Sequence, residues 1–268
     1  MQHRSTTCAI KLDFQNAFNS VSRHKVWETL QRHDCLASML KPFYAQYAEP
    51  TELLVYDGSR LVHKLTSSEG VRQGDPFAAL GFALTVQPLY EAALRQGAPG
   101  MVDGVSIQDD FTIIGDLEQA MRVFDYVQQH SLRDFGLTLR VDKCAVWLPD
   151  ETLEAAGEEQ QQRMRDACAA RQLRIDSTME SLGVLFGRES EVASFCEAAV
   201  DDCEFFFRAL EHRDLPLQHA SLLLRACQLP RLGYVARHTR TSWLLLLSGS
   251  TGARSIAGCA STASLMKT

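Results

Sequence analysis

Short alternating runs and 3.6-residue periods take turns along this chain. CAIKLD (8–13) predicts a strand that ends on an aspartate. Residues 22–48 carry an apolar face through Val26, Leu30, Leu36 and Leu40 and predict a helix, which Pro42 breaks or restarts. ELLVY (52–56), DGS and RLVHKL predict a hairpin closed by an Asp-Gly turn. SSEGVRQGDPF is rich in turn formers and leads into a helical segment that starts near Pro76 and stops at Gly97. VDGVSIQDDFTIIGD predicts strand, tight turn, strand. Leu117, Met121, Phe124, Val127 and Leu132 mark the buried face of an amphipathic helix over 117–135. FGLTLRVDKCAVWL predicts a glycine-capped exit followed by a strand. A polar helical insert (151–172), a short strand at MESLGVLFG and an all-helical stretch (190–238) follow. Beyond about residue 239 neither periodicity nor acidic residues remain.

Strands interleaved with helices around a central hairpin point to an α+β fold, an antiparallel sheet with helices on one face. The composition is that of a globular protein: 268 residues, 46% hydrophobic and 22% charged. The net charge of −6 argues against a nucleic-acid partner, but it hides an asymmetry. The last acid is Asp214, and Arg225, Arg231, Arg237, Arg240, Arg254 and Lys267 give residues 215–268 a charge of +6, leaving −12 on the rest. The eight cysteines contain no CxxC pair, which speaks against zinc and for reduced, buried thiols in an intracellular protein. Trp243–Leu247 is far too short to span a bilayer, and no membrane partner is expected.

The candidate chemistry lies in three aspartates. Asp13 ends one strand, and Asp109 and Asp110 sit side by side between two others. Adjacent like charges repel by about 4 kcal/mol at 4 Å and an effective dielectric near 20. A water-filled turn relieves that repulsion, and so does a divalent cation. Carboxylates from neighbouring strands form an all-oxygen site suited to Mg²⁺, with Mn²⁺ as a substitute. Two such ions about 3.5–4 Å apart serve phosphoryl transfer. Successive strand residues point to opposite faces, so a regular strand lets only one of the doublet share a face with Asp13. Asp109 is expected to be the principal ligand and Asp110 the auxiliary one. Each signal alone is ordinary, since an Asp doublet at a hairpin is commonly a solvated turn.

KLDFQNAFNSV, GVRQGDPFAALGFAL, SIQDDFTIIGD, FGLTLRVDKCAVW and ESLGVLFG occur in this order. Together they resemble the palm of reverse transcriptases, most closely the non-LTR retrotransposon type, over roughly residues 8–187. The resemblance implies RNA-directed DNA polymerase activity on an RNA template and a DNA primer, with deoxynucleoside triphosphates as substrates. It implies that Asp13, Asp109 and Asp110 hold metal. Phe18 would stand beneath the incoming sugar and reject a 2′-hydroxyl, and Gln73 and Gly74 would lie against template or nucleotide. Arg72 would touch phosphate, and Lys143 would protonate the leaving pyrophosphate or neutralise its charge. Leu182 and Gly183 match a primer-grip-like strand. The expected domains are a palm over 1–189, a helical partial thumb over 190–238 and an irregular tail over 239–268.

The sequence departs from the family in three places. Ile107 and Gln108 precede the doublet where an aromatic and a small residue are usual, and Asn19 follows Phe18 where an aspartate is usual. Twelve residues precede Asp13, too few for the fingers subdomain such polymerases carry there, so a fragment truncated before the palm is expected. Two other readings stay open: a folded, inactive remnant of a retroelement, and an unrelated metal-dependent phosphohydrolase using the same aspartates.

Overall fold

The structure is a computed structural model, and it describes residues 7–238. The expected tail at 239–268 lies outside the described residues. The chain divides into two compact units, Met1–Asp176 and Ser177–Thr268.

The first unit runs β1 (Thr7–Leu12), α1 (Ala17–Ser20), α2 (Arg23–Arg32), α3 (Ala37–Tyr47), β2 (Thr51–Asp57), β3 (Arg60–Ser67) and α4 (Pro76–Leu94). It continues with β4 (Val102–Ile107), β5 (Asp110–Asp116), α5 (Leu117–Phe135), β6 (Ala145–Trp147), α6 (Asp150–Ala155), α7 (Glu158–Ala169) and β7 (Arg174–Asp176). Five strands form one sheet in the order β4-β5-β1-β6-β7. The first four are antiparallel, as the pattern predicts, and β7 adds to β6 in parallel. The sheet is therefore mixed. Its parallel edge strand is only three residues long, too short to leave a periodic signal.

Helices α4 and α5 cover one face of this sheet. Ile10, Leu12, Phe111, Ile113 and Val146 point into the core against Phe82 and Val86 of α4 and Phe124 and Val127 of α5, all buried. Helix α4 is long and apolar enough to cross a membrane by composition alone. Here Ala78, Phe82, Val86, Leu89 and Ala93 are buried among the core residues, so it is the central helix of the domain. Helix α5 starts on Asp116, whose carboxylate accepts from the N–H groups of Glu118 and Gln119, and ends on Gly136 at φ +75°. Its buried face ends on Ser131 and Phe135, and the predicted Leu132 is exposed, one helical step off the stripe.

The predicted helix over 22–48 is two helices. The break falls at His33–Leu36, and α3 runs through Pro42. The β2–β3 hairpin turns on Gly58-Ser59, inside a closing Asp57–Arg60 pair, so the turn lies one residue beyond the expected Asp-Gly. The polar insert is split into α6 and α7 at Ala156-Gly157.

In the second unit the single strand expected at MESLGVLFG is a hairpin of β8 (Thr178–Ser181) and β9 (Val184–Gly187). Leu182 and Gly183 form its two-residue turn, with φ of +52° and +74°. Positive φ at both central positions matches a type I′ turn, and Leu is a strained choice for the first of them. The Tyr234 hydroxyl donates to the Leu182 carbonyl at 2.5 Å, which helps hold that turn. The helices α8 (Glu189–Asp201), α9 (Glu204–Leu210), α10 (Leu217–Leu223) and α11 (Leu229–His238) follow, with a π-helical turn at Leu224–Gln228.

Candidate active site

Strand register decides which aspartates face each other. β1 pairs with β5 from Thr7↔Asp116 to Leu12↔Phe111, and one further step sets Asp13 opposite Asp110. Directly opposed residues share a face. Leu12 and Phe111 point into the helix-covered core, so Asp13 and Asp110 point to the other face. That face is open over β4, where Val105 is 56% and Ile107 49% exposed. The register thus gives Asp110, rather than Asp109, the place on Asp13's face.

Asp109 lies in the turn itself. Gln108 and Asp109 connect the Ile107↔Asp110 pair, and Gln108 carries φ +58°. Positive φ at the first central position alone matches a type II′ turn, a place where glycine is usual. The turn frees Asp109 from the pleat. Asp109 lines an open cleft of about 380 Å³ with Phe18, Gln73, Gly74, Asp75, Pro76, Ala79 and Gln108. Burial first, then repulsion from Asp110 and Asp13, holds the Asp109 carboxyl above the usual carboxylate range, while its own backbone N–H works the other way. The three carboxylates therefore feel one another.

A metal can be judged against this donor set. All three groups are hard oxygen donors, and among the described residues none of them is ion-paired with Lys, Arg or His. The donor chemistry fits a divalent cation. The described residues nevertheless contain no group of three or more His, Cys, Asp or Glu side chains already gathered as a metal site.

The floor of the cleft is aromatic. Phe18 is 7% exposed and stacks on Phe82, with ring centroids 4.6 Å apart. Its helix α1 begins after Asn16, at φ +47°. The far wall is the GVRQGDP loop. Gly74 takes φ +87°, and a Cβ there would meet no other atom within 4 Å, so conformation rather than crowding within the chain calls for glycine. Asp75 caps α4 by accepting from Phe77 N–H at 2.9 Å, and Pro76 opens the helix. Beneath the doublet, Tyr90 of α4 stacks on Phe111 at 4.1 Å, and its buried hydroxyl has no hydrogen-bond partner among the described residues.

These findings settle the family. The family model described as reverse transcriptase (RNA-dependent DNA polymerase) matches residues 1–185. The chain belongs to the reverse transcriptase family. Solved structures similar to it include an apo telomerase from Candida tropicalis, 11% identical, over 75% of this chain and 37% of that chain, at a TM-score of 0.49. Another is a telomerase from Candida albicans in complex with the TWJ fragment of telomeric RNA, 10% identical, over 91% and 43%, at a TM-score of 0.46. The chain spans less than half the length of these structures. No curated protein matches it.

The other reverse transcriptase positions are more scattered. Lys143 is exposed in a turn over 140–144 and does not line the cleft. Arg72 is exposed, with its guanidinium 5.6 Å from the centroid of the Tyr47 ring and 3.4 Å from Thr51 Oγ1. Leu182 and Gly183 belong to the second unit.

Sequence reasoning missed the residues that hold the loop in place. Tyr47 is buried, and its hydroxyl donates to Asp75 Oδ2 at 2.6 Å while accepting from Arg72 N–H at 3.2 Å. Burial, with Asp75 beside it, holds that phenol above its ordinary value. Arg23 is also buried, and its guanidinium donates to the Gly70 carbonyl (2.8 Å), the Glu69 carbonyl (3.2 Å) and Ser67 Oγ (2.9 Å). Only its polar identity inside an otherwise amphipathic helix hinted at this. Tyr47→Phe is expected to lower stability by about 1–2 kcal/mol, because two hydrogen bonds lose their hub. Urea unfolding of the two proteins side by side measures it.

Proposed function

We propose that this chain is the palm and partial thumb of a retrotransposon-type RNA-directed DNA polymerase, working by two-metal nucleotidyl transfer. The palm would span 1–189 and the thumb 190–238. The observation that carries the proposal is the placement of Asp13 and Asp110 on one open sheet face, with Asp109 in the adjoining turn at the mouth of the Phe18 cleft.

Asp13, Asp109 and Asp110 would hold Mg²⁺, or Mn²⁺ in its place, and the bound ions would stabilise the attacking and leaving oxygens. In the reaction, the primer 3′-hydroxyl releases its proton to solvent as its oxygen bonds to the α-phosphorus of a deoxynucleoside triphosphate. The bond from that phosphorus to the bridging oxygen breaks, and pyrophosphate leaves. The chain's own residues position the reactants. Phe18 lines the cleft where a sugar would sit and would exclude a 2′-hydroxyl by its bulk. Gln73 and Gly74 present a backbone edge to the nucleotide or template. Lys143, exposed in the turn over 140–144 and outside the cleft lining, would reach in with its side chain to deliver a proton or positive charge to pyrophosphate. Arg72 would exchange its stacking on Tyr47 for a phosphate. RNA template, DNA primer and deoxynucleotides are the partners this chemistry requires.

Phe18→Val is expected to raise ribonucleotide use relative to deoxynucleotide use by roughly 10- to 100-fold. Single-nucleotide incorporation with each substrate measures the ratio, and an unchanged ratio contradicts the assigned role. A second reading is a folded but inactive retroelement remnant. Primer extension by the purified chain separates the two.

A further inference from the structure

Asp13 is held through its main chain by a segment in which neither Arg140 nor Cys144 carries an assigned role. The Arg140 N–H donates to the Asp13 carbonyl at 2.8 Å, and the Gln15 N–H donates to the Thr138 carbonyl at 2.9 Å. These two bonds make the isolated bridge between Phe14 and Leu139. A third bond is made by a side chain: the Asp13 N–H donates to Cys144 Sγ at 3.4 Å.

The sulfur stands where a backbone carbonyl would otherwise be. β1 pairs with β6 at Ala9↔Trp147, Ile10↔Val146 and Lys11↔Ala145, and continuing that ladder sets Asp13 opposite Lys143. The ladder stops because residues 140–144 form a turn instead, with the N–H groups of Lys143 and Cys144 bonded back to the Arg140 carbonyl at 2.9 and 3.0 Å. The Asp13 N–H thereby loses a strand partner at a partly buried position. A buried donor without a partner is costly, and the fully buried Cys144 thiol accepts from it. Burial keeps that thiol protonated, pushed up to about 11.

We infer that the Arg140–Cys144 turn is the clamp that sets the position of Asp13, and that Cys144 is its positioning residue. This rests on the reading of Asp13 as a metal-holding carboxylate. Of the two bonds that Asp13's own main chain makes to this turn, the one from Arg140 is main chain to main chain, so the one to Cys144 is the one that a substitution can remove. A carboxylate whose main chain shifts by a fraction of an ångström loses its aim at an ion shared with Asp110.

The test uses Cys144→Ala, which removes the acceptor, and Cys144→Ser, which keeps a smaller one. Mn²⁺ binding by electron paramagnetic resonance and amide exchange at Asp13 by NMR are measured on the full chain. Cys144→Ala is expected to weaken Mn²⁺ binding about 10-fold and to speed exchange at Asp13, with Cys144→Ser returning part of both. A role in packing alone would lower the melting temperature of both variants and leave Mn²⁺ affinity unchanged. Wild-type binding matched by Cys144→Ala overturns the clamp while leaving the metal reading intact. A wild-type chain that binds no Mn²⁺ overturns the reading and the clamp with it.

Discussion

Gly70→Ala is expected to destabilise the chain by about 3 kcal/mol or more and to abolish primer extension. Gly70 sits at φ +70°, and a Cβ there would stand 2.1 Å from the Asn19 carbonyl carbon and 2.2 Å from its oxygen. Those are backbone atoms and cannot swing aside. The position also joins the two walls of the cleft. The Gly70 N–H donates to the Val21 carbonyl at 3.1 Å, the Val71 N–H donates to the Phe18 carbonyl at 2.6 Å, and Arg23 binds the Gly70 carbonyl. Pushing Gly70 away from Asn19 therefore pulls the Gln73–Gly74 loop away from Phe18. Gly58→Ala is the control. Gly58 also has positive φ, +59°, but a Cβ there meets no atom within 4 Å. It should lose only the conformational part, about 1–2 kcal/mol. Thermal unfolding of both variants checks the difference, which at about 2–4 °C per kcal/mol is several degrees.

Asp109→Asn is expected to abolish extension and, without metal, to make the chain slightly more stable at neutral pH. The Asp109 carboxyl is held above its ordinary value of 3.8 by burial and then by Asp110 and Asp13. A raised carboxyl favours the folded state when protonated. That contribution is fully present below the ordinary value and is lost as pH rises through the folded one. Above that range the ionised group opposes folding. Because it is half-exposed, the gain on neutralising it is small, on the order of 1–2 °C in melting temperature. The sign should reverse with the cation. Mg²⁺ should raise the melting temperature of the wild-type chain and leave Asp109→Asn unmoved. A variant that melts below wild type without metal, or gains equally from Mg²⁺, contradicts this account.

Most of the sheet was legible because its strands are short apolar runs, buried over Cys8–Ile10 and Phe111–Ile113, and its turns carry marked residues. β1, β4, β5 and α5 fall where Cys8–Asp13, the DD doublet and the Leu117–Val127 stripe place them. What was not legible has a common cause. β7 is three residues long, and the β8–β9 turn uses Leu182, a residue that does not announce positive φ. The ranking of Asp109 over Asp110 rested on strand alternation and a turn, with no register to say which of the two shares the face of Asp13. Register sets Asp110 on the face of Asp13, while Asp109 reaches the cleft from a turn, a distinction fixed by pairing between strands far apart in sequence. Tyr47, Arg23 and Cys144 escaped for a similar reason. Each acts on a segment more than twenty residues away, through a hydrogen bond with no sequence spacing of its own.

The central claim is that these three carboxylates serve template-directed nucleotidyl transfer. The most direct test is primer extension on a short RNA template with Mg²⁺ and all four deoxynucleotides, comparing the wild-type chain with Asp13→Asn at equal, circular-dichroism-verified fold. The account predicts extension that needs the divalent cation, stops on chelation and falls at least about 1,000-fold in Asp13→Asn. Extension that survives Asp13→Asn undiminished, or a folded wild-type chain that adds no nucleotide, would contradict it.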